Sequence, residues 1–264
     1  MTQSRLQGML WTAASLGGFL TIWWLVTDGL GIANTLLLPS PVAVAESIVH
    51  LAASPHLFSG DLYGGSLIGN VLISLGRVLA GFAISAVAGI ALGLLIGTSP
   101  TLFALSDPAL QLARQIPPIS YIPLALIWFG LTETSIIFII VAGAFWPIFL
   151  NTVAGIQATQ PVLVRAASTL GATRQQLVLR VYLASALPQI FTGLRLSFGL
   201  AWSAVVAAEL IGSSAGIGYL VMHARLIIAT PDVIAGMLAI GAMGVVADMA
   251  FVAAERRIFV YRRR

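Results

Sequence analysis

Six long apolar stretches, separated by short polar gaps, decide what this chain can fold into. About 20 apolar residues in a helix cross the ~30 Å hydrocarbon core of a bilayer. Charged residues are only 8% of the chain and apolar residues 59%, which leaves too few polar groups to cover a water-facing surface. The sequence therefore predicts an all-α transmembrane protein with about six spans, near residues 9–26, 78–97, 102–130, 136–156, 187–211 and 233–254.

Arginine supplies all 13 basic residues, and its distribution predicts the orientation. Three arginines lie in the segment 157–186 and five follow residue 255, whereas the polar, turn-rich segment 28–66 has none. Positive charge concentrates on the cytoplasmic side of membrane proteins. We therefore expect a multi-pass protein of the cell (inner) membrane with both termini and the segment 157–186 in the cytoplasm. This distribution favours a topological role for the charge over nucleic-acid binding.

The first apolar stretch resembles a signal peptide, but its length and flanking tryptophans favour a retained span. Residues 1–264 are then expected to form a single transmembrane domain. Cysteine is absent, which excludes thiolate metal sites and cysteine nucleophiles. The three histidines lack metal-ligand spacing, so we predict no metal site and no catalytic group.

Closely spaced prolines interrupt the third stretch and predict a broken helix there, because proline removes a backbone donor and clashes with the preceding turn. Carbonyls near Ala113 and Arg114 are then expected to lose their partners. Irregular backbone at membrane depth either lines a wet cavity or is buried in protein, so this segment is a candidate translocation pathway or a packing kink. Arg114 is either an anion-facing charge or a side chain that reaches the interface or caps freed carbonyls. The candidate pathway residues are Arg114, Gln115, Pro117, Pro118, Tyr121 and Trp202.

Other charged residues lie within or beside the apolar stretches, where ionised side chains need a partner or water. Glu209 is expected to pair with an arginine such as Arg77 or Arg195 and hold helices together. Glu133 is expected to cap a helix or to face an external protein.

The segment 165–183 predicts two short helices joined at Gly171, with small residues on one face and exposed arginines. Such a pair could dock into a groove on a soluble partner. The residues expected to make this contact are Arg165, Ala166, Ala167, Gly171, Ala172, Arg174, Leu177 and Val181.

This segment resembles the cytoplasmic loop signature of binding-protein-dependent ABC importer permeases: Glu-Ala-Ala, three residues, Gly, nine residues, Ile, one residue, Leu-Pro. The spacing matches, but Arg165 replaces the glutamate, Val181 the isoleucine and Ala184 the proline. The resemblance covers about residues 36–257 and is closest to the nitrate, sulfonate and taurine subfamily. It is carried by LLLPSP (36–41), IPPISYIPLALIWFGLTETS (116–135), RAASTLGA (165–172), LPQIFTGLRLSFGLAWSAVVAAEL (187–210) and GIGYLV (216–221).

The resemblance implies a type I ABC importer (MetI-like) permease fold and a homodimer in the lipid bilayer. It also implies two cytoplasmic ABC ATPase subunits docked on the 157–186 loop and an external binding protein that delivers a small anion. The chain has no lysine for a phosphate-binding loop, so ATP and Mg are expected on the partner ATPase and no cofactor on this chain.

Two other classes of protein remain as alternatives. A stand-alone secondary transporter or channel often has inverted repeats, which would place broken segments in both halves. Only one proline-broken stretch is visible in the sequence. A membrane enzyme would need a convergent set of catalytic groups, and the scattered acids and histidines provide none.

Overall fold

The computed structural model describes residues 2–31, 34, 36–54 and 65–258, and most of these residues are helical, with no strand among them. His56, Asp61 and Arg262–Arg264 lie outside this part, as does the side chain of Arg5. The helices are α1 (Thr2–Trp24), α2 (Pro41–Ala52), α3 (Leu67–Gly97), α4 (Pro100–Ala113), α5 (Ile122–Phe129), α6 (Glu133–Gln157), α7 (Pro161–Thr169), α8 (Arg174–Gly212), α9 (Ile217–Leu226) and α10 (Thr230–Ile258).

Four helices of the described part are long and apolar enough to cross a membrane: α3, α6, α8 and α10. Each contains one of the predicted stretches, and the all-helical class is confirmed. The remaining two predicted spans correspond to α1 and to the proline-broken stretch, which are not among the four. A total of six spans therefore stays a prediction.

The third stretch is broken, as its prolines predict. Helix α4 ends at Ala113, and the chain resumes as a single 3₁₀ turn at Pro118–Tyr121 before α5 begins. We expected the carbonyl of Ala113 to lose its partner, but it accepts a hydrogen bond from the Ile116 N–H (3.3 Å). A tightened last turn thus satisfies this carbonyl locally.

Helices α3 and α6 pack closely along a row of small residues. A Cβ atom added to Gly81 would lie 2.5 Å from the Cγ2 of Ile140, and one added to Gly93 would lie 2.6 Å from the Cβ of Thr152. Gly89 and Gly97 meet Ile148 and Ile156 in the same way, so every contact joins residues 59 positions apart. The two helices therefore run in the same direction at the close approach that small residues allow in a bilayer.

Helix α8 runs antiparallel to its neighbours. Arg77 of α3 meets Glu209, and Gly155 of α6 meets Ala186 at the other end of the same helix. Helix α10 is also antiparallel to α8, because Trp202 bonds to Ile240 while Arg195 bonds to Asp248. Consequently the ends of α3, α6 and α10 lie beside the start of α8. We call this end of the bundle the basic end, because the 157–186 segment is there.

Two helices and one helix start were not predicted. Helix α2 lies inside the segment described above as polar and turn-rich; its signals are Ser40, whose hydroxyl accepts from the Ala43 N–H (3.3 Å), and Pro41 at the first position. Helix α9 follows the loop after α8. Helix α3 begins at Leu67, 11 residues before Val78, because polar side chains in its first turns find partners elsewhere in the fold.

Candidate functional site

The predicted docking segment begins with α7, whose end is built around Gly171. The N–H of Gly171 donates to the carbonyl of Ser168 (3.0 Å), and that of Ala172 to the carbonyl of Ala167 (3.1 Å). These two bonds form a Schellman motif, which needs a residue in the left-handed region; Gly171 has φ +79°. The Ala-Ala-x3-Gly pattern thus encodes a short helix with a sharp, defined end.

The outward surface of this segment is apolar with basic residues beside it. Val162, Leu163 and Leu170 are exposed, and Leu170 keeps 88% of its surface accessible. Helix α7 and the start of α8 together form a helical hairpin. Arg165 and Arg174 are exposed on this hairpin. On its other side α7 packs against the turn Leu177–Tyr182. Exposed apolar side chains of this kind indicate a surface that another protein covers.

The second half of the hairpin differs from the expectation. We predicted a separate short helix near 173–183, but the helix that Thr173 caps runs without interruption from Arg174 to Gly212. Its start is fixed by a capping box, in which Thr173 and Gln176 bond to each other's backbone N–H groups. A π-helical turn at Leu177–Tyr182 and an internal proline, Pro188, are irregularities in this helix. The prediction of two separate short helices is therefore wrong for the second helix, because Leu177 and Val181 belong to the first turns of α8.

The broken segment exposes its polar residues. Arg114 ends α4 through a bond from its N–H to the carbonyl of Leu110 (3.1 Å), and both Arg114 and Gln115 are exposed. Pro117 is exposed and Pro118 half-buried. The ring of Tyr121 meets that of Phe138 edge-on (centroids 6.3 Å apart), which anchors the 3₁₀ turn to α6.

Trp202, grouped above with this segment, lies between α8 and α10. Its ring is buried in the core, and the indole N–H donates to the carbonyl of Ile240 (3.0 Å). One edge lines a cavity of about 310 Å³ between these two helices, together with Arg195 and Gly199. The structure thus associates Trp202 with Arg195 rather than with Arg114.

Arg77 and Glu209 form a buried ion pair at the end of the bundle opposite the basic end. Arg77 Nη1 donates to Glu209 Oε1 (2.7 Å) and to the carbonyl of Ala215 (2.7 Å). The Nε of Arg77 donates to Glu133 Oε2 (2.7 Å), so the guanidinium binds Glu133 through two nitrogens. Charges at membrane depth require such partners. The cluster ties together α3, α6 and α8.

A tight loop closes over Glu209 from the other side. The N–H of Gly218 donates to Glu209 Oε2 (2.9 Å), and the hydroxyl of Ser74 donates to the same carboxylate (2.8 Å). Ser74 also accepts from the N–H of Ile217 (2.9 Å). Gly216 has φ +110°, and a Cβ there would lie 2.4 Å from Glu209 Cδ. The glycines of the GIG string thus allow the loop to reach the buried carboxylate.

Arg195 pairs with a residue that sequence reasoning did not assign to it. Its Nε and Nη2 donate to the two oxygens of Asp248 (2.8 and 3.0 Å), and Nη1 lies 4.0 Å from Glu255 Oε2. The side chains of Arg195 and Asp248 stay 38% and 55% exposed, whereas those of Arg77 and Glu209 are 7% and 0% exposed. Arg195 therefore does not share the buried role of Arg77.

Sequence reasoning missed several members of the Arg77 cluster. Glu133, which was expected to cap a helix or face an external protein, is the first residue of α6 and is 63% exposed, and its bond to Arg77 was not foreseen. Asn70 and Ser74 were not singled out, although polar residues four apart in an apolar helix were a usable signal. The described residues contain no group of three or more His, Cys, Asp or Glu side chains that could hold a metal ion.

Comparison with known proteins adds an independent line of evidence. Residues 87–260 match the family model described as binding-protein-dependent transport system inner membrane component. A putative ABC transporter permease protein of Methanocaldococcus jannaschii is 42% identical over 92% of this chain and 88% of its own length. The taurine transport system permease protein TauC of Escherichia coli is 36% identical over 92% and 86%. A crystal structure of an amino acid ABC transporter with histidines shares the fold, with a TM-score of 0.57, 20% identity, and coverage of 72% of this chain and 93% of that one.

Proposed function

Because the chain belongs to the family of binding-protein-dependent transport system inner membrane components, and is thus a non-catalytic membrane permease, we propose that its importer carries a small anion. Taurine, another alkyl sulfonate or nitrate is the expected kind of substrate. TauC is named as a taurine permease, which supports this class. The proposal extends to an external binding protein that delivers the substrate, and to a single permease domain over residues 1–264.

Two cytoplasmic ATPase subunits and a second copy of this chain complete the proposed assembly. ATP and Mg would be bound by the ATPase subunits, since this chain has no lysine for a phosphate-binding loop. The segments at the basic end carry five arginines of the described part: Arg165, Arg174, Arg180, Arg256 and Arg257. This concentration of positive charge supports a cytoplasmic position for that end.

The observation that carries the proposal is the hairpin of α7 and the start of α8. Its exposed apolar residues give a partner ATPase a surface to bind, and the motif at Gly171 fixes the angle at which α7 meets α8. Since α8 is a continuous helix, a displacement of α7 acts directly on a spanning helix. ATP-driven movement of the partners would in this way switch the permease between outward-open and inward-open states. The broken segment around Arg114 is the proposed translocation pathway.

The test replaces Gly171 with valine and, as a matched control, with asparagine. A Cβ at Gly171 meets no atom within 4 Å, so only the backbone conformation is perturbed. The left-handed conformation costs about 1–2 kcal/mol for an ordinary residue and less for asparagine. We expect Gly171→Val to lose ATP-driven uptake in proteoliposomes while ATP hydrolysis continues, and Gly171→Asn to retain most uptake.

Normal uptake by Gly171→Val, with the variant inserted at normal levels, would contradict the coupling role. Uptake by vesicles that contain this chain and no ATPase would instead support a stand-alone transporter or channel. Both measurements use the complete importer, with its ATPase and binding protein, as the reference.

A further inference from the structure

Arg77 binds two carboxylates that lie on helices held in different ways. Glu133 begins α6, and α6 is fixed to the helix of Arg77 by the close contacts at Gly81 and Gly93. Glu209 instead belongs to α8, the helix that continues from the hairpin. The guanidinium donates two hydrogen bonds to Glu133 and one to Glu209. A movement of α8 against α3 and α6 therefore separates Arg77 from Glu209 and leaves it bound to Glu133.

The part of α8 that carries Glu209 lies far from a tight contact of this helix with α6. That contact is at Gly193, where an added Cβ would lie 2.8 Å from the carbonyl oxygen of Pro147. Glu209 is 16 residues farther on, or ~24 Å along the helix, so a tilt of about 5° about Gly193 moves it by about 2 Å. A displacement of this size breaks a hydrogen bond. The buried apolar side chains of α8 beyond Trp202 are small and oppose it little: Ala204, Val205 and Ala208.

Both charges keep a partner when the pair separates. Arg77 keeps its two bonds to Glu133, whose side chain is 63% exposed. Glu209 keeps the N–H of Gly218, which belongs to the loop that follows α8. An ordinary buried ion pair leaves an uncompensated charge when it breaks, and that cost keeps it closed. The pair of Arg77 and Glu209 avoids much of this cost, so it is suited to open and close.

We propose that Arg77, Glu209 and the loop 213–218 form a reversible latch at the end of the bundle opposite the basic end. In the closed latch, Arg77 holds α8 through Glu209 (2.7 Å) and holds the loop through Ser213 Oγ (3.0 Å). In the open latch, Glu133 alone holds Arg77, and the end of α8 has parted from α3. The latch rests on the proposed switching between inward-open and outward-open states, and it is closed in the inward-open state.

Two backbone amides of the loop report whether the latch is closed. The N–H of Gly216 donates to Asn70 Oδ1 (2.7 Å) and that of Ile217 to Ser74 Oγ (2.9 Å), and both acceptors lie on α3. Bonded amides exchange with deuterium only when their bonds open, so both are released when the latch opens. Exchange of the peptide 213–218, followed by mass spectrometry on the permease alone in nanodiscs, therefore measures how often the latch opens. A peptide from α6, which stays packed against α3, is the internal control.

Glu133→Gln is the decisive variant, because it removes the charge that holds Arg77 in the open latch. In the closed latch Arg77 still has Glu209, so the loss weakens the open state more than the closed one. We expect exchange of the loop to become roughly two- to fivefold slower, the factor that corresponds to one exposed ion pair. Ser213→Ala removes a bond that exists only in the closed latch, so exchange should become about tenfold faster. Ser214→Ala, at the exposed neighbouring position, is the matched control and should leave the rate unchanged.

A fixed structural tie predicts the opposite sign for Glu133→Gln. Each lost bond would then only loosen the cluster, so this variant would speed exchange as Ser213→Ala does. Faster or unchanged exchange in Glu133→Gln would therefore overturn the latch. Glu133→Ala also removes the charge and should act in the same direction, so it decides the question if Glu133→Gln does not accumulate.

A second measurement relates the latch to transport. In the complete importer, exchange of the loop should differ roughly threefold or more between the nucleotide-free state and the state with a non-hydrolysable ATP analogue. Equal exchange in an importer with normal uptake would overturn the role of the latch in switching. The variants at Glu133 and Ser213 need neither ATPase nor binding protein. A failure of the proposed import function would therefore leave their results unchanged, so the two proposals can fail separately.

Discussion

Replacing Gly93 with alanine tests whether the close approach of α3 and α6 holds the bundle together. The new Cβ would lie 2.6 Å from Thr152 Cβ and 2.7 Å from its Cγ2. Carbon atoms in contact prefer a separation of about 3.5–4.0 Å, so the two helices must separate locally by about 1 Å. The contacts at Gly89 and Gly97, one turn away on either side, oppose that movement.

The expected magnitude follows from two opposing terms. Inserting a methyl group into a packed contact typically costs about 1–3 kcal/mol. Alanine also favours the helix over glycine by up to about 1 kcal/mol. We therefore expect Gly93→Ala to lower the free energy of unfolding by up to about 2 kcal/mol.

Gly76→Ala is the matched control, because Gly76 lies in the same helix and an added Cβ meets no atom within 4 Å. It gains the same helix propensity without the clash, so the difference between the variants, about 1–3 kcal/mol, isolates the packing contact. The assay is denaturant unfolding in detergent micelles, followed by tryptophan fluorescence. If Gly93→Ala proved as stable as Gly76→Ala, the close packing of α3 against α6 at Gly93 would not stabilise the bundle, and the reasoning would be refuted.

Further predictions concern the buried charge cluster. Glu209→Ala removes the buried carboxylate and leaves Arg77 with only one acidic partner, so we expect a loss of about 3–5 kcal/mol and poor accumulation of folded protein on fluorescence-detected gel filtration. Glu133→Ala, which removes the exposed carboxylate, should cost about 1 kcal/mol or less; similar yields of the two variants would contradict this reasoning. Gly216→Ala should destabilise the loop by more than about 1 kcal/mol, through both its φ of +110° and the 2.4 Å approach to Glu209, measured as a faster loss of monodisperse protein on heating.

The sequence predicted those parts of the fold that depend on local patterns. Apolar length located α3, α6, α8 and α10, prolines located the break after Ala113, and glycine located the end of α7. The start of α3 was missed because Ser74 and Arg77 look unsuited to a span until Glu209, more than 130 positions away, supplies their partner. The continuity of α8 was missed for a different reason. The apolar face over residues 173–183 was taken as a separate short helix, but nothing between Tyr182 and Leu183 ends a helix, so the chain continues into the span.

The candidate sites divide in the same way. The docking segment has a short-range signature and stays a prediction, whereas the pairing of Arg195 depends on which residue of α10 faces it. Asp248 and Glu255 are seven positions apart, on one face of that helix, but no local pattern relates them to α8.

The unbroken course of α8 has a mechanical consequence. With 39 residues it is ~58 Å long, and its two ends carry the docking hairpin and the Glu209 cluster. If α8 moves as a rigid body, a tilt applied at Arg174 would therefore move Glu209 as well. The π-helical turn at Leu177–Tyr182 and Pro188 both lie in the first half of this helix, so bending, if it occurs, concentrates on the side where force is applied. One helix would then carry a signal across the whole thickness of the membrane without a joint at mid-depth.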